Sequence, residues 1–165
     1  MVTISRILVP VDFSDWSRAA LSYALGIAAR FDAAVDVFHV FPLPPPIDPN
    51  VVFQTSDGSS LTVPQLMRRE AKDDLSEFLR GAVGPDTPAE VEVRGHTKCG
   101  EAADEILRRA TMGRYGLIVM GTRGRSGLSR VFMGSVAEAV LRQAPCPVMT
   151  VRRDHENRSR KASAA

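Results

Sequence analysis

Cysteine is scarce in this 165-residue chain: only Cys99 and Cys146 occur. Two distant thiols supply neither a disulfide framework nor a metal-ligand spacing, and they suit a reducing compartment. No stretch approaches the run of about 18 apolar residues that marks a membrane-spanning helix. The opening MVTISRILVPVD has no charged segment followed by a long apolar run and a cleavage site. No export signal is expected from it, and a cytoplasmic location is. An excess of one charge is missing too. The formal net charge is +2, and residues 152–161, RRDHENRSRK, hold five basic and two acidic side chains, +3 by themselves. The remainder is near −1, which argues against a broad nucleic-acid surface. No internal repeat is visible. One domain is expected over residues 1–152, followed by a disordered basic tail over 153–165.

What is present is alternation. Five short apolar runs, ILVPV (7–11), VDVFHVF (35–41), AEVEVRGH (89–96), GLIVM (116–120) and CPVMTV (146–151), are separated by four helical patterns. Nearly continuous apolar runs such as the first and fourth suit strands buried on both faces. In the first helical pattern Trp16, Ala19, Ala20, Tyr23, Ala24, Ile27, Ala28 and Phe31 fall on one face, with Ser14 as N-cap. A second helix is expected over 64–79, with Pro64 in its first turn. A third is expected over 101–111, burying Ala103, Ile106, Leu107 and Ala110. A fourth starts at Ser135 and buries Val136, Val140 and Leu141. Strict strand–helix alternation predicts an α/β fold, an open parallel sheet with helices on both faces. Residues 41–61 form the one long irregular segment. Four prolines within residues 42–46 and Pro49 forbid helix there, and the segment is read either as a cover for a ligand or as an insertion.

The chemistry concentrates in GTRGRSGLSRVFMGSVAEAVL, residues 121–141. Ligands of open α/β sheets bind beyond the carboxyl ends of the strands, where strand order reverses. Gly121 follows the fourth strand, and Gly134-Ser135 opens a helix. The first N–H groups of a helix lack intrahelical partners and carry partial positive charge, so phosphate docks there. Gly134 lets it approach without a Cβ in the way. Arg123, Arg125 and Arg130 can offset its charge. No lysine lies in the segment, which excludes a Walker A loop, and the spacing is not G-x-G-x-x-G.

Gly121-x2-Gly124-x9-Gly134-Ser135 resembles the G-2x-G-9x-G-[ST] signature of the ATP-binding branch of the universal stress protein family. ILVPVDFSDWSRAAL resembles the family's first strand and helix, VFHV its second strand, and YGLIVMGTRGRSGLSRVFMGSVAEAVLRQAPCPVMTVR its C-terminal half. Together they span about residues 4–152, apart from the proline-rich segment. The resemblance implies a Rossmann-like sheet of five parallel strands in the order 3-2-1-4-5. It places Asp12 at the nucleoside, and Pro10, Val11, Val40 and Met120 around the adenine. It wraps Gly121, Thr122, Arg123, Gly124, Arg125 and Gly127 around ribose and phosphates. Gly134, Ser135 and Val136 then present N–H groups to the phosphates. ATP would enter with Mg²⁺ or Mn²⁺ held mostly by phosphate oxygens and water. The family's twofold dimer implies a homodimer through the last strand, Val148, Met149, Thr150 and Val151. One departure is visible: Gly116 stands where the family commonly has an acidic residue.

Other polar residues read as structural. His39 is expected to be packed, His96 to sit in a solvated loop, and Cys99 to be a plain small residue; Asp12 has a second reading as a helix cap. The function implied is a nucleotide-binding regulator of stress response. Three alternatives stand beside it: a slow ATPase or nucleotidyl or phosphoryl transferase, the same site holding AMP or cyclic AMP, and an interaction module without nucleotide. No residue presents itself as the base or water-positioning group that phosphoryl transfer needs.

Overall fold

The computed structural model describes residues 4–42, 48, 51–56, 58–84, 87, 90–122 and 133–152. In chain order the elements are β1 (Arg6–Val11), α1 (Asp15–Phe31), β2 (Ala34–Phe41), β3 (Val52–Gln54), β4 (Ser60–Thr62), α2 (Val63–Ala82), β5 (Val93–Cys99), α3 (Ala102–Gly113), β6 (Leu117–Gly121), α4 (Ser135–Gln143) and β7 (Val148–Val151). Five of them make one parallel sheet in the order β5-β2-β1-β6-β7. Without the small hairpin β3–β4, that is the expected order 3-2-1-4-5. The reversal point lies between β1 and β6.

The apolar runs do what their composition demands. Ile7, Leu8 and Val9 of β1 are wholly buried, as are Ile118 and Val119 of β6. Each such side chain contributes roughly 1.5–3 kcal/mol on burial. Side chains alternate across the sheet. Ile7, Val9, Val35, Val37 and Val119 pack with α1 and α2. Leu8, Phe38, Ile118 and Met120 pack with α3 and α4. The alanines Ala19, Ala20, Ala24 and Ala28 let α1 lie close to the sheet.

The structure corrects several expectations. The buried stripe of α1 runs through Ser17, Leu21 and Leu25 besides those alanines, leaving Tyr23 and Phe31 exposed. Leu141 on α4 is exposed too. Strand β5 begins four residues and ends three residues later than the run 89–96, with its register against β2 running from Val35↔Val93 to Phe41↔Cys99. In the segment 41–61, β3 and β4 form an antiparallel hairpin with Val52 opposite Thr62. Helix α2 begins on that hairpin, where the Gln65 side chain accepts from the Thr62 N–H at 2.9 Å.

At the amino end of the sheet a carboxylate missed by the sequence reading organises its surroundings. Asp36 of β2 is 1% exposed. Its Oδ2 accepts from Arg6 Nη2 and Tyr115 Oη, both at 2.5 Å. Arg109 Nη2 stands 3.7 Å from the same oxygen, and His96 Nε2 stands 3.6 Å from Oδ1. Burial pushes the Asp36 pKa up, but the hydrogen bonds from Tyr115 and Arg6 and the charges of Arg6 and His96 outweigh it and hold the carboxyl below its ordinary value. Burial and the Arg109 charge push His96 down against the pull of Asp36. His96 therefore sits inside β5, over a buried carboxylate, and not in a solvated loop.

Candidate functional site

A cleft of about 220 Å³ opens at the carboxyl ends of β1, β2 and β6, between α3 and α4. It lies where strand order reverses, the usual ligand position in this architecture. Pro10, Val11 and Asp12 enter it from β1, Val40 from β2, Met120, Gly121 and Thr122 from β6, and Gly134, Ser135 and Val136 from α4. Two stretches more than 100 residues apart in sequence thus meet. Arg123, Gly124, Arg125, Gly127 and Arg130 lie outside the described residues. Both ends of that segment are nonetheless at the cleft, because the Gly134 N–H donates to the Thr122 carbonyl at 2.9 Å.

The β1 end is shaped by capping. Asp12 Oδ1 accepts from Ser14 N–H at 3.2 Å, Ser14 Oγ at 2.6 Å and Ser17 Oγ at 2.5 Å. Ser17 Oγ in turn accepts from the Asp12 N–H at 3.0 Å. Ser14 is the N-cap of α1 and accepts from the Ser17 N–H at 3.3 Å. The carboxylate charge therefore rests against the positive end of α1. Asp12 lines the cleft, and its carboxylate holds Ser14, the N-cap of α1, in place. Between them, Phe13 adopts a left-handed backbone with φ 67°, a strained conformation for a residue with a Cβ. Its ring packs on His39 at 4.2 Å, and His39 Nδ1–H donates to the Val11 carbonyl at 2.9 Å. His39 is the packed structural histidine the sequence suggested.

The β6 end is shaped by close approach. A Cβ on Gly121 would meet Trp16 Cβ at 2.8 Å and the Trp16 backbone at 3.1 and 3.2 Å. Glycine is needed here so that β6 can run under the first turn of α1, a reason the glycine pattern alone did not give.

The α4 end brings peptide N–H groups to the cleft. Its N-cap is Gly134, and among the described residues no side chain caps it. Its first N–H groups, at Ser135, Val136 and Ala137, precede the first intrahelical bond, Glu138 N–H to Gly134 O. These donors and the helix dipole suit an anion. The cleft floor is apolar: Phe38, Ile106, Ala102 and Met120. Phe38, Ile106, Ala102, Ala137 and Ser17 were not anticipated. Phe38 was legible, since it shares a strand face with Val40 two residues on. Among the described residues no group of three or more His, Cys, Asp or Glu could hold a metal. Cys99, at the end of β5, is half-buried with its thiol 3.5 Å from the Pro42 carbonyl oxygen.

The arrangement matches known proteins. The universal stress protein family profile matches residues 3–152. A universal stress protein of Methanocaldococcus jannaschii is 35% identical over 150 residues, covering 90% of this chain and 82% of that one. The solved universal stress protein UspA of Lactobacillus plantarum superposes with a TM-score of 0.68 at 24% identity, covering 92% of this chain and 100% of that one. A universal stress protein of Archaeoglobus fulgidus in complex with dAMP gives 0.59 at 22% identity, covering 92% and 100%. A solved universal stress protein in complex with cAMP gives 0.57 at 20% identity, covering 91% of this chain and 98% of that one.

Proposed function

The chain belongs to the universal stress protein family, and on that premise we propose that it is an ATP-binding regulatory protein of the stress response, acting as a cytoplasmic homodimer. The observation that carries this reading is the convergence of β1, β6 and the first turn of α4 on one cleft with an apolar floor. Such a cleft offers backbone donors to phosphates at α4 and an apolar seat to a flat base beside Phe38, Ile106 and Met120. The chain also carries Gly121, Gly124, Gly134 and Ser135 at the spacing associated with ATP. Mg²⁺ or Mn²⁺ would enter on the nucleotide's own oxygens.

The relatives bound to dAMP and cAMP hold adenine nucleotides on this fold. At 22% and 20% identity they speak for the fold and not for the ligand of this chain, so a monophosphate or cyclic nucleotide is the second reading. For the dimer, β7 ends the sheet, and a strand edge can pair with a second copy. Nucleotide would act by its differential affinity for two states of the protein.

Calorimetric titration of nucleotide-stripped protein with Mg-ATP, with AMP and cyclic AMP in parallel, tests the ligand. Saturable ATP binding at about one per chain, lost in Gly134→Val, is expected. Binding of AMP or cyclic AMP without ATP replaces the ligand and keeps the site. Absence of heat with all three removes the nucleotide reading.

A further inference from the structure

Beside α3, on the β5 side of the sheet, lies a second cavity of about 310 Å³. Phe38 is the wall it shares with the cleft. Four basic side chains line it: Arg6, Lys98, Arg108 and Arg109. Their donors are only partly engaged. Arg6 Nη1 donates to the Gly113 carbonyl and Nη2 to Asp36, while its Nε is buried without an acceptor among the described residues. Arg108 uses Nε and Nη2 on Glu105. Arg109 donates Nε to Tyr115 Oη, lies 4.8 Å over the Phe38 ring, and keeps Nη2 beyond hydrogen-bond distance of Asp36. The Lys98 side chain forms no hydrogen bond among the described residues, and Thr97 lines the same cavity beside it.

Four cations face two carboxylates, Asp36 and Glu105, so the group carries a formal +2. Cations gathered around a half-enclosed cavity repel one another and raise its affinity for anions. Donors reach the cavity from β5 and from two positions of α3. A tetrahedral anion with acceptors on every side uses such a set, whereas one guanidinium fork suffices for a planar carboxylate.

We propose that this groove is a second binding site, taking a compact polyanion of the phosphate class, separate from the nucleotide cleft. Arg109 and Lys98 supply the free donors, Arg6 and Arg108 supply field, and Met112 and Phe38 line the apolar side. The assignment does not rest on the nucleotide reading, because the two sites report at different residues.

The test is an amide NMR titration of the full chain with pyrophosphate at constant ionic strength, with citrate as the carboxylate arm. Saturable shifts are expected at Thr97, Lys98, Arg109 and Met112, distinct from any at Ser135–Ala137. Lys98→Gln, which breaks no hydrogen bond among the described residues, is expected to weaken pyrophosphate about tenfold without changing the melting temperature. Arg109→Gln is expected to weaken it similarly. Shifts confined to the α4 terminus, a dissociation constant unmoved by Lys98→Gln, an absence of saturable shifts, or a preference for citrate would each overturn the proposal.

Discussion

The two ends of the parallel sheet solve opposite problems. At the carboxyl end the chain offers peptide N–H groups, glycines and an apolar floor, and among the described residues no side chain caps the α4 terminus. At the amino end a buried carboxylate is surrounded by two arginines, a tyrosine and a histidine from the rest of the chain. One end presents donors toward a cleft, and the other is largely completed from within. The difference predicts that substitutions around Asp36 lower stability and spare nucleotide binding, while those of residues that line the cleft lower nucleotide binding.

The sharpest break is Asp36→Asn. It leaves Arg6 and Arg109 without their counter-charge at a site where Asp36 is 1% exposed. The arginines left behind are partly solvated, so losing this partner costs about 1–3 kcal/mol. We expect a loss of that size in urea unfolding, with nucleotide affinity within about twofold of the parent. A fall in affinity at unchanged stability would show that the ends are not separate.

Acid sharpens the same comparison. The folded pKa of Asp36 is depressed, so its contribution is full above the ordinary carboxyl value, about 3.9, and is lost as pH falls through the depressed one. His96 is also depressed. The unfolded state then binds the proton more readily, and stability is lost earlier, as pH falls below about 6.5. Urea midpoints measured against pH are expected to fall in two steps. His96→Gln removes the upper step, and Asp36→Asn removes the lower. A single step in the parent below the carboxyl range would put His96 outside the cluster.

Gly121→Ala tests the carboxyl end where it also carries structure. The new methyl meets Trp16 Cβ at 2.8 Å and Trp16 backbone at 3.1 Å. Backbone cannot step aside as a side-chain tip can, and overpacking of this kind costs about 1–3 kcal/mol. Thermal unfolding is expected to register that loss together with weaker nucleotide binding, since Gly121 lines the cleft. Unchanged unfolding would mean that α1 shifts freely over β6.

Periodicity made the sheet legible, because buried parallel strands are apolar whatever their neighbours. It failed at β5, where Thr97, Lys98 and Cys99 pair with β2 through backbone that no side-chain pattern reports. The hairpin was missed although Asp57-Gly58 sits between VVF and LTV, a strong turn signal; the prolines upstream drew the whole segment into one irregular reading. Each described residue expected in the site lines the cleft, since strand ends and a helix start are local features. Ser17, Ile106 and Ala102 reach it only because helices are placed by tertiary packing. Asp36 carried a signal of its own: a carboxylate in VDVFHV must be partnered if the strand is buried. Its partners, Arg6, Tyr115, His96 and Arg109, come from four other parts of the chain, and no spacing rule joins them.

The smallest expected effect separates the two roles of Asp12. Ser14→Ala removes the N-cap acceptor for the Ser17 N–H and one donor to the Asp12 carboxylate. An N-cap loss costs about 1 kcal/mol, to be read in the unfolding midpoint. Ser17 Oγ still donates to Asp12 Oδ1 and still accepts from its N–H, so the carboxylate keeps its place beside the cleft. Nucleotide affinity should therefore stay within about twofold of the parent. Ser17→Ala takes away both of those bonds and lines the cleft itself, so it should lower affinity as well as stability. Equal losses of affinity in the two variants would mean that the cap as a whole, and not the Ser17 hydroxyl, positions Asp12 for its ligand.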